Sequence, residues 1–238
     1  MTDVRDATTN RKEKRMESIF NVSQKVLKAM SLFASDDTER FNLTGLYFGW
    51  DEEGLLDIVA TDGHCLGSWR HTPHDEDLVR DAGKAVIPIG MFLPLINEAS
   101  RKQNFTVKAT VELRIDRGKV GIYASLAGDV AMSMKAQTLD VEFPSWHGVI
   151  PPEDCFKPIP KLGVNPGLVK RFRDAARLIA PNPDGEAIVG LRFTGEKDII
   201  EVKIGGAEEQ FVGYLMPAML MGKWVPAPKE EGKTEAAA

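Results

Sequence analysis

NVSQKVLKAMSLFAS at residues 21–35 and LTGLYFGWDEEGLLDIVAT at residues 43–61 decide the fold of this chain. The first stretch places apolar residues at i, i+4, i+8 and i+11, on one face of an α-helix. These residues are Val22, Val26, Met30 and Phe33. The second stretch contains two β-rich runs on either side of the turn residues DEEG. Together the two stretches predict a helix followed by antiparallel strands.

The same order recurs twice further along the chain, as a loose repeat of about 65 to 75 residues. The second unit has a predicted helix at 88–102. The third has one at 165–179, with Asn165 as the predicted N-cap and Pro166 in the first turn. β-rich runs follow both helices, at 105–115, 119–125 and 130–136 in the second unit and at 187–193, 199–205 and 209–216 in the third. This repeat predicts an α+β fold in which antiparallel sheets carry one layer of helices.

Length and composition restrict the functional classes. The 238 residues are 43% hydrophobic and 27% charged, which is typical of a soluble globular protein. No apolar run approaches the roughly 20 residues of a membrane span, and the polar start of the chain lacks the apolar core of a signal peptide. We therefore expect a cytoplasmic protein with Cys65 and Cys155 as free thiols. Residues 1–16 and 222–238 are predicted to be disordered tails.

The net charge of −5 argues against a protein that coats nucleic acid by bulk attraction, but it permits a local basic stripe. Basic residues lie on the outer face of the first predicted helix. On the third predicted helix, they lie opposite the apolar face or at its flank. They are Lys25, Lys28, Lys170, Arg171, Arg173 and Arg177. Such a stripe is either a solvated helix face or a surface for DNA phosphates. The charge pattern alone leaves both interpretations open.

The sequence lacks the common motifs of catalysis. It contains no Walker-type phosphate loop, no G-x-S-x-G, no H-E-x-x-H and no C-x-x-C. Four residues of TDGHCLGSWRHTPHDED suggest a metal or acid–base site, namely Asp62, His64, His71 and His74. Such spacing often arises by chance in a solvated loop. We therefore expect no catalytic residue, metal or cofactor, and the rival hypothesis is an enzyme that uses Asp62 and His64.

Three strings resemble signatures of the β subunit of bacterial DNA polymerase III, the DNA sliding clamp. LDIVATDGHCL at 56–66 resembles A-T-D-G-H-R-L of the family's middle domain, and FPSWHGVIP at 143–151 resembles F-P-D-Y-x-x-V-I-P at the end of that domain. YLMPAML at 214–220 resembles the close of the family's chain. The resemblance implies a shortened clamp without the family's first domain. In it, 17–152 would form a middle-domain-like unit and 157–221 half of a last domain.

In that family the three strings converge on an apolar cleft that receives a short clamp-binding peptide. Carried over position by position, the resemblance places in this cleft Thr61, Gly63, His64, Leu66, Pro144, Val149, Asn165, Leu168, Met216 and Pro217. Apolar residues with a polar rim suit a peptide anchor pocket, and core positions at strand ends are the alternative interpretation. Cys65 replaces the family's arginine, and Ala218 and Met219 replace a larger apolar residue and a basic one. Contacts to the peptide's ends are therefore expected to differ.

The resemblance implies a non-enzymatic processivity factor. It would tether DNA polymerase, clamp loader or repair proteins to duplex DNA without sequence specificity, through their clamp-binding peptides. The six basic residues of the first and third helices would face the phosphates, often through water. The alternative is a clamp-derived adaptor or decoy that binds these peptides without encircling DNA. The missing first domain suggests a phage or plasmid version.

Three helix-and-strand units per chain predict a homo-oligomeric ring. The third unit has no partner unit within the chain, and an exposed sheet edge favours pairing with another strand. We expect it to pair with the third unit of a second chain in an isologous dimer. Two such dimers would complete the family's twelve-unit ring around DNA. The alternative is a trimer of two-domain chains.

Overall fold

The computed structural model describes residues 17–79, 81–91, 93–94, 109–116, 118–126, 129–157, 162–180, 187–195 and 197–218. The predicted tails at 1–16 and 222–238 and most of the predicted helix at 88–102 lie outside these residues. No helix within the described part of the chain is long and apolar enough to cross a membrane.

The described residues form strands, two α-helices with defined bounds and three short 3-10 turns. The first part of the chain contains β1 (Ser18–Ser23), α1 (Gln24–Ser31), β2 (Gly45–Trp50), β3 (Leu56–Thr61), β4 (Cys65–His71) and β5 (Gly83–Pro88). The second part contains β6 (Ala109–Asp116), β7 (Lys119–Leu126), β8 (Asp129–Gln137), α2 (Pro166–Ile179), β9 (Val189–Phe193), β10 (Ile200–Ile204) and β11 (Phe211–Leu215). The 3-10 turns span Thr38–Leu43, Trp146–Val149 and Glu153–Cys155.

The strands form two antiparallel sheets, in the orders β1-β6-β7-β8 and β5-β2-β3-β4-β11-β10-β9. Two strands that lead into helices join the sheet of the neighbouring unit. β1, which leads into α1 of the first unit, pairs with β6 of the second unit. β5, which leads into the predicted helix of the second unit, pairs with β2 of the first unit. The third unit, α2 with β9 to β11, joins the first unit where β11 pairs with β4. The predicted α+β fold with antiparallel sheets is confirmed.

The start of the predicted first helix was wrong. Residues up to Ser23 belong to β1, and α1 begins only at Gln24. Val22 is buried as part of that strand, in which more and less buried residues alternate. An apolar residue at this position satisfies both the two-residue period of a strand and the 3.6-residue period of a helix. Periodicity alone therefore could not place the boundary.

The two helices form one layer against the seven-stranded sheet. α1 packs beside α2 and contacts β2, β3 and β4, while α2 contacts β9, β10 and β11. α1 also contacts β1 and β6 of the other sheet, and most of its residues are buried. Each fully buried large apolar side chain contributes about 1.5–3 kcal/mol to the free energy of unfolding. The short helix α1 therefore stabilises the contact between both sheets and the third unit.

Three aromatic rings and two glycines form the seam between the first and third units. The ring of Phe33 lies 4.9 Å from that of Phe172 and 5.9 Å from that of Phe211, measured between centroids. Gly67 of β4 and Gly213 of β11 lie directly opposite each other in the paired strands. A Cβ atom at Gly67 would lie 2.6 Å from the Phe33 ring, and one at Gly213 would overlap the ring of Phe172. Both positions must be glycine for the rings to pack on the strands.

We predict that Gly67→Ala and Gly213→Ala each lower the free energy of unfolding by about 1–3 kcal/mol, because the added methyl group overpacks the seam. Gly148→Ala is the matched control, since its Cβ would meet no atom within 4 Å. It should change the free energy of unfolding by less than about 0.5 kcal/mol. Urea denaturation followed by circular dichroism measures all three values. Equal losses in the three variants would contradict the tight seam.

Candidate peptide-binding site and basic helix face

The turn between β3 and β4 is fixed by its own side chains. The Asp62 carboxylate accepts hydrogen bonds from the backbone N–H groups of His64 at 2.8 Å and Cys65 at 2.9 Å. The Thr61 hydroxyl donates to the Cys65 carbonyl at 2.7 Å and accepts from the Gly63 N–H at 3.0 Å. Gly63 has φ +88°, a left-handed conformation that favours glycine. The turn is rigid and leaves the imidazole of His64 exposed.

Arg171 of α2 reaches across to this turn. Its Nη1 donates to Asp62 Oδ2 at 2.6 Å and contacts Cys65 Sγ at 3.3 Å. Burial acts to raise the pKa of Asp62, but the hydrogen bonds from the two backbone amides and the charge of Arg171 outweigh it, so the pKa lies below its usual range. Burial and the nearby Asp62 carboxylate raise the pKa of the Cys65 thiol to about 12. This thiol is therefore protonated and unreactive at neutral pH.

The end of β11 lies beside the same turn. The Met216 N–H donates to the His64 carbonyl at 2.9 Å, and the Ala218 N–H donates to the Gly163 carbonyl at 2.9 Å. The second bond ties this segment to the chain just before α2, where the Asn165 side chain accepts from the Gly167 N–H at 2.9 Å as the N-cap. The 61–66, 216–217 and 165–168 parts of the predicted cleft are therefore brought together.

The 143–151 segment packs on the face of the sheet that is turned away from the helices. Phe143 and Trp146 are buried there with Leu66 and Tyr214. Along each strand the neighbouring residues face the helices instead, because side chains alternate between the two faces of a sheet. His64 lies in the β3–β4 turn and Met216 directly follows β11, each two residues from a member of this buried cluster.

The ten predicted cleft residues differ in accessibility. Six are exposed, namely Gly63, His64, Pro144, Val149, Asn165 and Met216. Leu168 and Pro217 are half-buried, while Thr61 and Leu66 are buried. Leu66 therefore belongs to the floor of the site, and the Thr61 hydroxyl is used within the turn. A groove of about 620 Å³ borders the 143–151 segment. Of the ten predicted cleft residues, Pro144 is the one found among the described residues that line this groove.

Two residues beside the predicted cleft were not predicted as part of it. Arg40 donates from Nη1 to the Asp62 carbonyl at 3.3 Å and lies beside Gly63. Tyr214 packs against the cleft floor, and burial raises the pKa of its hydroxyl to about 12. The three strings include Tyr214 but give no signal for Arg40, whose position depends on the 3-10 turn Thr38–Leu43.

The basic stripe is divided in the structure. Lys170 and Arg173 both pair with Asp174, at 3.0 and 2.8 Å. The hydrogen bond from Arg173 and, to a smaller extent, the one from Lys170 lower the pKa of the Asp174 carboxyl. Arg177 and Lys25 are exposed, and Lys28 is half-buried on the adjacent helix α1. Arg171 faces the β3–β4 turn, so we assign it to that turn rather than to the DNA-facing set.

The histidine-rich loop is tied to β1. The His71 Nε2 lies 2.9 Å from Asp77 Oδ2, and both side chains are almost completely buried. The Asp77 carboxylate also accepts from the backbone N–H groups of Asn21 at 2.7 Å and His74 at 3.0 Å. Burial acts to raise the pKa of Asp77, but these hydrogen bonds lower it overall. His71 and Asp77 therefore hold the loop in place, and among the described residues no group of three metal-ligating side chains is found.

The sequence matches no protein-family model and no curated protein. The structure matches the β subunit of DNA polymerase III from Thermotoga maritima with a TM-score of 0.57 and 14% identity, over 86% of this chain and 66% of that chain. The chain has the sliding-clamp fold. The β chain from Streptococcus pneumoniae matches with a TM-score of 0.56 and 15% identity, over 92% of this chain and 67% of that chain.

The DnaN sliding clamp from Pseudomonas aeruginosa, solved bound to griselimycin, matches with a TM-score of 0.55 and 14% identity, over 92% of this chain and 68% of that chain. The predicted resemblance to sliding clamps is confirmed at the level of the fold. This clamp-fold chain spans about two thirds of the length of the clamp chains that it matches.

We predict that Arg171→Ala lowers the free energy of unfolding by about 1–3 kcal/mol at neutral pH, because it leaves the largely buried Asp62 carboxylate without its cation. Arg173→Ala is the control. It removes an exposed pair with Asp174 and should cost less than about 1 kcal/mol. Chemical denaturation at several pH values measures both variants.

The pH dependence follows from the lowered pKa of folded Asp62. The stability that the carboxylate contributes is complete above the unfolded pKa of about 3.9 and is lost as the pH falls through the lower folded pKa. The difference between the wild type and Arg171→Ala should therefore shrink below about pH 4. A difference that persists in acid would show that only the packing of the Arg171 side chain matters.

Proposed function

We propose that this clamp-fold chain is a sliding-clamp-like processivity factor. It tethers DNA polymerase, clamp loader or repair proteins to duplex DNA without sequence specificity, and it catalyses no reaction. In this proposal 17–152 acts as a middle-domain-like unit and 157–221 as half of a last domain. The protein works in the cytoplasm, as part of a homo-oligomeric ring.

The hydrogen bond from Met216 to the His64 carbonyl carries the proposal. It joins two strings that lie far apart in sequence and that the resemblance assigns to one peptide-binding cleft. The rigid β3–β4 turn supports one side of this junction, and the paired Leu66 and Tyr214 next to it are buried in the cluster that contains Phe143 and Trp146. A preformed site of this kind loses little conformational entropy when a peptide binds.

The exposed residues at the junction have the chemistry of a peptide anchor site. Met216 and Val149 are 47% and 42% exposed, so both offer apolar surface to a ligand. Methionine adapts to differently shaped apolar side chains because it is flexible and polarizable. His64 supplies a polar group at the rim. Such a site accepts short apolar motifs from several partner proteins.

The adjacent helices α1 and α2 supply the surface for DNA in this proposal. Lys25, Lys28, Lys170, Arg173 and Arg177 lie on them, while their apolar sides pack on the sheets. Basic side chains on helices contact phosphates without reading base edges. Binding would therefore be independent of sequence and would weaken as the salt concentration rises.

The alternative is an adaptor or decoy that binds clamp-binding peptides without encircling DNA. One observation favours it, because Asp174 lies within the stripe and pairs with two of its cations. The net charge of −5 also opposes attraction to DNA at long range. The two functions share the peptide site and differ in DNA binding.

We predict that a synthetic peptide with a clamp-binding sequence of a bacterial DNA polymerase III binds this chain with a micromolar dissociation constant. His64→Ala and Met216→Ala should each weaken binding about fivefold or more, because they remove exposed contact groups. Leu78→Ala is the control, since Leu78 is a similarly exposed apolar residue in the loop between β4 and β5, where it pairs with Ile19 of β1. Fluorescence anisotropy measures binding, and circular dichroism checks folding. Unchanged affinity in both site variants would exclude this cleft.

We predict that Arg173→Glu combined with Arg177→Glu weakens duplex DNA binding at low salt. The slope of log affinity against log salt should fall by about one for each phosphate that the variant no longer binds. Peptide binding should remain unchanged. Lys119→Glu combined with Lys135→Glu is the control with the same charge change, on the sheet face away from the core. Equal weakening in both double variants would indicate bulk charge rather than the helix surface. If the wild type itself fails to bind DNA, the adaptor function is favoured.

A further inference from the structure

A row of directly paired residues crosses the seven-stranded sheet. Arg192 of β9 pairs with Glu201 of β10, Glu201 pairs with Tyr214 of β11, and Tyr214 pairs with Leu66 of β4. Directly paired residues of antiparallel strands point to the same face of a sheet. The row therefore runs from the third unit to Leu66, which belongs to the floor of the candidate peptide site. Three strand spacings separate the two ends, so the Cα atoms of Arg192 and Leu66 lie about 15 Å apart.

The segment that follows β8 has an anchor at each end of this row. We name residues 146–156 the outer strap. At its first end, Trp146 is buried in one cluster with Leu66. At its second end, the Arg192 guanidinium covers the Phe156 ring, with 3.8 Å between the guanidinium carbon and the ring centroid. The outer strap is thus fixed at both ends on the same face of the sheet.

Arg192 holds the second anchor by several contacts at once. Its Nη2 donates to Glu153 Oε2 at 3.0 Å, and its Nε donates to the Glu201 carboxylate at 2.8 Å. An exposed ion pair such as the one with Glu153 contributes little by itself. Here the buried Glu201 carboxylate fixes the orientation of the guanidinium. The ion pair with Glu153 and the contact with the Phe156 ring therefore act together.

The part of the outer strap between the anchors is stiff and carries exposed apolar side chains. The Ile150 N–H donates to the His147 carbonyl at 3.3 Å. Pro151 and Pro152 follow, and their rings fix the backbone φ angles. Val149 and Ile150 are exposed. A displacement of the second anchor is therefore transmitted to Val149, a predicted residue of the peptide site.

We propose that Arg192 is a positioning residue of the candidate peptide site. It acts through the outer strap, whose second anchor it holds, and thereby keeps Val149 and Ile150 in the arrangement that receives a peptide. A site that is already ordered loses less conformational entropy on binding than a mobile one. Arg192 lies outside the three strings that predicted the site. Its role rests on the proposed function, because Val149 is taken as part of the peptide site.

The first experiment measures the affinity for the same synthetic clamp-binding peptide by fluorescence anisotropy. Arg192→Gln should raise the dissociation constant about fivefold, because a looser outer strap must be ordered when the peptide binds. The increase is moderate, since the hydrogen bond from the Lys157 N–H to the Phe193 carbonyl at 2.6 Å still holds the backbone. Circular dichroism checks that the variant is folded.

Arg114→Gln is the matched control, because Arg114 is about as exposed as Arg192 and makes the same kinds of contact in the four-stranded sheet. It pairs with Glu112 and covers the Tyr123 ring at 4.7 Å. This variant should bind the peptide as tightly as the wild type does. Equal dissociation constants in the wild type and Arg192→Gln, or equal losses in the two variants, would overturn the role of Arg192.

A second variant separates positioning from the compensation of the buried Glu201 carboxylate. Glu153→Gln combined with Phe156→Ala removes the contacts of the outer strap with Arg192 and leaves the pair of Arg192 with Glu201 intact. This double variant should weaken peptide binding as much as Arg192→Gln does. Adding Arg192→Gln to it should cause no further loss of affinity, although it should lower the free energy of unfolding because Glu201 loses its cation. Losses of affinity that multiply would contradict an action through the outer strap.

Hydrogen–deuterium exchange followed by mass spectrometry tests the positioning without any peptide. The backbone amides of 147–150 should exchange about fivefold faster in Arg192→Gln than in the wild type, because the strap opens more often. Arg114→Gln should leave their exchange unchanged. Failure of the wild type to bind the peptide would reject the proposed function. Unchanged exchange at 147–150 in Arg192→Gln would overturn the positioning by Arg192, whether or not the wild type binds the peptide.

Discussion

Close packing of phenylalanine rings on glycine backbone holds the first and third units together, and the candidate site depends on it. With Gly67 opposite Gly213, the rings of Phe33 and Phe172 reach the paired strands β4 and β11. This register also places the end of β11 beside the β3–β4 turn. A shift of one residue would exchange the two faces of β11 and move Tyr214 from the outer cluster into the helix side. The same glycines therefore fix the packing of the core and the position of the candidate site.

The sequence predicted the order of helix and strands where local periodicity is strong, as in α2 with its N-cap Asn165. It failed where a distant partner decides the structure. β4 contains Gly67, and its strand character comes from pairing with β3 and β11 rather than from its own pattern. The role of Arg171 was missed for a similar reason. The helical wheel places it at the flank of a basic stripe, but its partner Asp62 comes from another unit. Such contacts between remote segments have no local signal.

In the proposed function the peptide site and the DNA surface meet at α2, because Asn165 and Leu168 belong to the cleft while Arg173 and Arg177 belong to the basic stripe. His64 lies in the β3–β4 turn and Met216 directly after β11, while Arg173 and Arg177 are exposed further along α2. Substitutions at sites that are well separated and share no contacts usually have additive effects. Arg171 is the exception, because it belongs to α2 and is bonded to the β3–β4 turn. It therefore links the helix that carries the basic stripe to the turn of the candidate peptide site.

The seam between β4 and β11 also determines the order in which the chain can fold. β4 is made early in translation, but the strand that covers its edge is nearly the last described element to emerge from the ribosome. Contacts between such distant segments give a high contact order and slow folding. Until β11 arrives, β4 presents an unprotected hydrogen-bonding edge, which is a known origin of aggregation during synthesis. Gly67 and Gly213 allow β11 to pack tightly on β4, but this pairing forms only after β11 has been synthesised. The nascent chain therefore keeps an unpaired β4 edge until late in translation.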